Sequence, residues 1–106
     1  MNTEKRRMYC VICILSVIAF LILLSGCSKE SKIERHWKKG ETYFSENKLK
    51  EAVIEYKTII QLEPKHSKAY YKLGMAYLKM GLLREGYASL IKTVEINPDM
   101  LEARNQ

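Results

Sequence analysis

Between residues 8 and 24 the chain carries no charge, whereas from residue 27 onward charged positions recur every few residues, with short apolar runs of at most four between them. Two physical regimes therefore share one chain. In the second regime the spacing is helical. Leu49, Ala52, Val53, Tyr56, Ile59, Ile60 and Leu62 include the i, i+3 and i+4 relations of one side of an amphipathic helix. Trp37, Tyr43 and Phe44 fall on one side of a helix before it. No stretch alternates apolar and polar positions as a half-buried strand would, so the pattern predicts an all-α protein. Pro64 and Pro98 close helices, because proline has no amide hydrogen to donate and its ring clashes with the preceding turn. Asn47 and Gly81 mark the tight turns inside two helical hairpins.

The hairpins are copies of one another. Gly40 and Gly74, Tyr43 and Tyr77, and Pro64 and Pro98 are each separated by 34 positions, a period that belongs to stacked helical repeats. The repeats are set at 33–66 and 67–100, with 101–106 opening a third that stops. Gly40 and Gly74 fall mid-helix, where a missing side chain lets paired helices approach and offsets a propensity cost of about 1 kcal/mol. Tyr43 and Tyr77 are expected to fill the space beside them. Gly86 predicts that the second helix of the second repeat is weaker than its counterpart by about 1 kcal/mol. Leu82, Leu83, Tyr87, Leu90, Ile91, Val94 and Ile96 end the array with only Met100, Leu101 and Ala103 beginning another helix. Repeat arrays bury each unit against the next and close with a polar cap. The expectation is a piece of a longer array, or association through this end with itself or a partner.

The positions Gly40, Tyr43, Ala52, Tyr56 and Pro64, and then Tyr70, Leu73, Gly74, Tyr77, Leu90 and Pro98, resemble the tetratricopeptide repeat. Lys39 stands where a leucine is usual, and Gly86 and Thr93 where alanines are usual. The resemblance implies tandem helix-turn-helix hairpins stacked as an α-solenoid, whose first helices line a concave groove for a peptide or helix of another protein. Carried over by position, the first repeat contributes Glu34, Trp37, Lys38, Glu41 and Phe44 to that groove. The second contributes Lys68, Tyr71, Lys72, Met75, Leu78 and Lys79. Trp37, Phe44, Tyr71, Met75 and Leu78 would form an apolar strip, and Lys68, Lys72 and Lys79 would receive a carboxylate. Packing between helices is the competing role for Phe44, Leu78 and Tyr71, while Trp37 is expected to be exposed.

The amino terminus follows a different logic. Lys5, Arg6 and Arg7 precede an apolar run from Val11 to Leu24, and the small residues Ser25 and Gly26 follow, the order of a secretory signal. The run is shorter than the ~20 residues that span a bilayer, and an uncleaved anchor helix is the alternative. Leu24-Ser25-Gly26-Cys27 resembles the lipobox of bacterial lipoproteins. That resemblance implies a signal peptide at 1–26, a lipid thioether on Cys27, and a tether at 27–32. Each buried methylene of such a lipid contributes about 0.8 kcal/mol, so two chains anchor where one barely binds. Ser28, where an aspartate would favour the inner membrane, implies the outer membrane facing the periplasm in a two-membrane cell. The whole resembles repeat-bearing bacterial lipoproteins, among them pilotin-like and exosortase or exopolysaccharide-associated types.

The formal net charge of +6 changes this picture little. Lysines and arginines after Cys27 alternate with glutamates, the pattern of solvated helix faces, and export disfavours nucleic acid as a partner. Cys10 and Cys13 form a C-x-x-C, but among Tyr9, Val11, Ile12 and Ile14 and with no second ligand pair. His36 and His66 are expected to face solvent near helix ends, without the partners a metal needs. Glu51 and Glu55 are expected on a surface that Lys48 and Lys50 neutralise. No catalytic constellation is present in the sequence, and no cofactor is expected beyond the lipid on Cys27. The sequence thus points to a membrane-anchored scaffold that recruits a protein in the cell envelope, the rival being the tether region of a longer envelope enzyme. Replacing Cys27 with Ser is expected to abolish lipid attachment, signal cleavage and membrane retention; unchanged mass and retention would overturn the lipoprotein assignment.

Overall fold

A computed structural model describes residues 2–102, the side chains of 25–27 and 101–102 excepted. The Cys27 side chain, with the lipid expected on it, lies outside that description, as do residues 103–106, which the sequence pattern assigns to the opening of a third repeat. The elements in chain order are α1 (Asn2–Ser45), α2 (Leu49–Leu62), α3 (Ser67–Lys79), α4 (Leu83–Ile96) and the single turn α5 (Asp99–Glu102). Among the described residues there is no strand, as the spacing predicts. The chain divides into two compact units, Met1–Lys32 and Ile33–Gln106.

In the first unit the apolar side chains from Met8 to Leu24 stand 47 to 69 % exposed. Their helix is long and apolar enough to cross a membrane.

The second unit is built from hairpins whose ends repeat at the atomic level. Asn47 and Gly81 both take the left-handed conformation, with φ of 61° and 78°. Beyond them the Lys48 amide donates to the Tyr43 carbonyl at 2.8 Å, and the Leu82 amide to the Tyr77 carbonyl at 2.9 Å. These are the bonds that close a helix on a left-handed residue, a conformation free to glycine and tolerated by asparagine. At the other end of each hairpin, Glu63 and Asn97 are extended, with φ of −139° and −140°. Each precedes a proline, and the proline ring forces the residue before it out of the helical region. Between the hairpins, the His66 side chain accepts the Ala69 amide hydrogen at 3.1 Å and caps α3.

Ala52, Val53, Tyr56 and Ile59 of α2 and Ala69, Leu73 and Ala76 of α3 form the core, with Trp37, Tyr43 and Phe44 packed around it. Gly40 does admit a close neighbour, but that neighbour is the ring of Tyr56 rather than Tyr43: a Cβ on Gly40 would lie 2.8 Å from Tyr56 Cε1. In the second hairpin, a Cβ on Gly74 would lie 3.0 Å from the Leu90 side chain and 3.1 Å from the Gly86 carbonyl oxygen. One on Gly86 would lie 2.6 Å from Leu78 Cδ2 and 3.3 Å from the Gly74 carbonyl oxygen. Gly86, read from sequence only as a weak point, is thus one half of a backbone crossing and gives Leu78 its seat. Below it, Thr93 is fully buried and its hydroxyl donates to the Ser89 carbonyl at 3.0 Å, so the buried oxygen costs no unmade bond.

One side of α4 is exposed. Leu83, Tyr87 and Ile91 of α4 are about three-fifths exposed, at 58 to 60 %, whereas Leu90 and Ile96 are half-buried. Helix propensity alone makes Gly74→Ala stabilising by about 1 kcal/mol. The crossing reverses that sign, because the new methyl presses on Leu90 and on a backbone oxygen that cannot move aside. A loss of about 1–2 kcal/mol is expected in denaturant unfolding of the α2–α4 region, and a gain would show that the helices separate freely.

Candidate partner-binding face

The groove positions inferred from sequence lie on Ile33–Ser45 of α1 and on α3, and the structure sorts them into three groups. Glu41, Phe44, Lys72 and Lys79 come together. The Lys72 ammonium lies 3.2 Å from Glu41 Oε1 and 5.1 Å from the centre of the Phe44 ring, and the Lys79 ammonium lies 4.4 Å from the same centre. Two cations thus flank one aromatic ring, whose electron-rich face attracts them. Lys72 is already held by Glu41. Lys79 is exposed and has no ion pair among the described residues.

A second group is structural. Trp37 is half-buried, with its ring 5.8 Å from Tyr56 and 5.9 Å from His66, so the expectation of exposure is corrected. Its indole packs on the core because α2 and the α2–α3 loop close over it. Leu78 is half-buried and packs against α4 at Gly86. Glu41 has an internal duty as well, accepting a 2.7 Å hydrogen bond from the Tyr56 hydroxyl. The third group is available to solvent or partly so: Lys68 is exposed, Tyr71 and Met75 are half-buried, and Glu34 pairs with Lys38 at 3.3 Å on an exposed turn.

His36 departs from expectation, whereas His66 does stand at a helix end but is half-buried. His36 Nδ1 sits 2.6 Å from Glu55 Oε2, tying α1 to α2, and both side chains are largely covered. His66 caps α3 as described. Glu55 therefore belongs to the hairpin interior and not to a lysine-neutralised surface, and Lys48 pairs with Glu46 at 3.1 Å instead. The sequence holds a faint signal for these pairs. In an antiparallel hairpin, residues on opposite sides of the Asn47 turn face each other, and both His36 with Glu55 and Glu41 with Tyr56 straddle it. Choosing those pairs needs the crossing register, which Gly40 and Tyr56 set. Among the described residues no cluster of His, Cys, Asp and Glu has the geometry of a metal site.

Comparison with known proteins places the body among repeat proteins. A family model described as TPR repeat matches residues 40–81, and one described as tetratricopeptide repeat matches residues 67–100. Hsp70-Hsp90 organizing protein 2 of Arabidopsis thaliana is 34 % identical over 64 residues, covering 60 % of this chain and 11 % of that protein. DnaJ homolog subfamily C member 3 of Bos taurus is 26 % identical over 98 residues, 86 % of this chain and 19 % of its own length. The chain thus spans a fifth or less of these relatives. The TPR2B domain of yeast Sti1, solved as its pHsp70 complex, superposes with a TM-score of 0.66 at 26 % identity, covering 69 % of this chain and 58 % of that one.

The Tyr56 side chain is fully buried, and that burial, reinforced by its bond to Glu41, pushes its phenol well above the ordinary value of 10.0. A pKa raised in the folded state adds stability that is complete below pH 10.0 and is lost as pH rises past it, since only the unfolded chain can then ionise. Unfolding measured between pH 9 and pH 12 should show a decline of up to about 1.4 kcal/mol per pH unit. Tyr56→Phe should flatten that decline; an identical decline would remove Tyr56 from this role.

Proposed function

We propose that this chain, which belongs to the tetratricopeptide repeat family over residues 40–100, is a membrane-anchored interaction scaffold that holds a segment of another protein against α1 and α3 and catalyses nothing. The observation that carries the reading is the convergence of Lys72 and Lys79 on Phe44, beside the partly open Tyr71 and Met75. Aromatic and methionine side chains rimmed by charge are what protein interfaces use. The partner segment is a peptide or helix that places apolar side chains on Met75 and Phe44 and a carboxylate near Lys79 and Lys68. Relatives whose names tie them to Hsp70 and Hsp90, and a similar domain solved with pHsp70, support a protein ligand of this kind.

Anchoring completes the reading. The exposed apolar side chains from Met8 to Leu24 belong in lipid, as a signal segment before cleavage or as an anchor without it. A lipid on Cys27 would hold the repeats at a cell-envelope membrane after cleavage. Membrane attachment confines the scaffold to two dimensions, so modest contacts suffice to gather a partner.

The test compares capture of a partner from detergent extract by wild type and by variants with unchanged helical spectra. Lys79→Glu and Met75→Ala are expected to reduce recovery of the same partner about tenfold each. Undiminished recovery with both would remove this face from the binding role.

A further inference from the structure

The pair between Lys72 and Glu41 differs from an ordinary surface ion pair because its acidic end is fixed from inside. Glu41 Oε1 accepts the Tyr56 hydroxyl at 2.7 Å and faces the Lys72 ammonium at 3.2 Å. Tyr56 is fully buried with its ring against Gly40, so its hydroxyl has one position to offer. Exposed ion pairs lose most of their strength to side-chain freedom and to solvent. Here the core removes that freedom from the carboxylate, and the Glu41 and Lys72 side chains are only 38 and 28 % exposed.

The repeat does not require this arrangement. Thirty-four residues on, the counterparts of Glu41 and Tyr56 are Met75 and Leu90. A carboxylate held by a buried phenol is therefore particular to the first hairpin.

What the pair changes is the charge that a partner meets. The Lys72 and Lys79 ammoniums lie 5.1 and 4.4 Å from the centre of the same Phe44 ring. Without Glu41 they would be two cations bracketing one aromatic side chain, a grip for two neighbouring carboxylates. With Glu41 in place the charge of Lys72 is cancelled, and a carboxylate brought to it would also meet the fixed carboxylate of Glu41. Lys79 has no such companion among the described residues. Lys68, the other unpaired lysine of α3, stands eleven residues, or about three helical turns, from Lys79 and reads a group of its own.

We propose that Glu41 sets the acidity of the segment bound on this face: by masking Lys72 it admits a single acidic side chain at Phe44, on Lys79, and turns away segments with a second acid beside it. The inference rests on the binding role given above to α1 and α3. The preferred segment carries one acid next to an apolar residue, with an uncharged or basic residue opposite Glu41. Glu41 thus selects among partners without being the group that holds them.

Peptide selection tests this, with random peptides displayed on phage and the full chain held in detergent micelles, wild type beside variants whose helical spectra match it. Glu41→Gln keeps an oxygen for the Tyr56 hydroxyl and removes the charge, which frees Lys72. Peptides with two acidic residues close together are expected to be about fivefold more frequent in its pool than in the wild-type pool. Lys72→Gln leaves the Glu41 charge bare and is expected to lower the frequency of acidic residues about fivefold. Combining the two substitutions should return the wild-type pattern. A pair that served stability alone would shift none of these frequencies. Enrichment of no peptide by wild type would overturn the binding role and this inference with it. Peptides of equal acidity from wild type and Glu41→Gln, or from wild type and Lys72→Gln, would overturn this inference alone and leave the binding role standing.

Discussion

At Gly74 and Gly86 two helix backbones meet with nothing between them but a carbonyl oxygen and the ends of Leu78 and Leu90, and the rest of the second hairpin is placed by that crossing. A side chain at either position has nowhere to go. The first hairpin solves the same problem with different atoms. Gly40 gives its space to the ring of Tyr56, and Ala52, the counterpart of Gly86, is fully buried beside it. Interiors packed at crystal density leave no slack for compromise, so the two solutions fix two different sets of neighbours on one shared period.

The difference extends to how each hairpin is specified. In the first, directional bonds cross between helices: His36 to Glu55, and Tyr56 to Glu41, which also reaches Lys72 of the next repeat. These groups are partly or wholly withdrawn from water, where bonds between them are stronger and unmade bonds cost more. The second hairpin has Tyr70 and Ser89, and Met75 and Leu90, at the corresponding positions. The hydroxyls of Ser89 and Thr93 bond within their own helix.

Much of this was legible in the residues. Pro64 and Pro98, Asn47 and Gly81, and the glycine pair forty and seventy-four residues into the chain define helices, turns and period without knowledge of any contact, because each acts through local backbone geometry. The open apolar side of α4 follows from the same period. What stayed hidden depends on crossing register. Nothing local tells that Trp37 lies over Tyr56 rather than in solvent, that His36 finds a carboxylate nineteen positions away, or that Gly86 is a contact and not a defect. The helices that carry the candidate face, and its lysines, can be named from the sequence. The pairing of Lys72 with Glu41 is a property of the fold, and it leaves Lys79 as the exposed cation over Phe44.

The polar ties of the first hairpin matter for any force that reaches the repeats along the chain from their amino-terminal side. Tension on the backbone before Ile33 enters the repeats at a hairpin joined by two cross-helix bonds, with Tyr56 wedged against Gly40. A pull from that side therefore meets directional bonds before it meets the apolar contacts between α3 and α4.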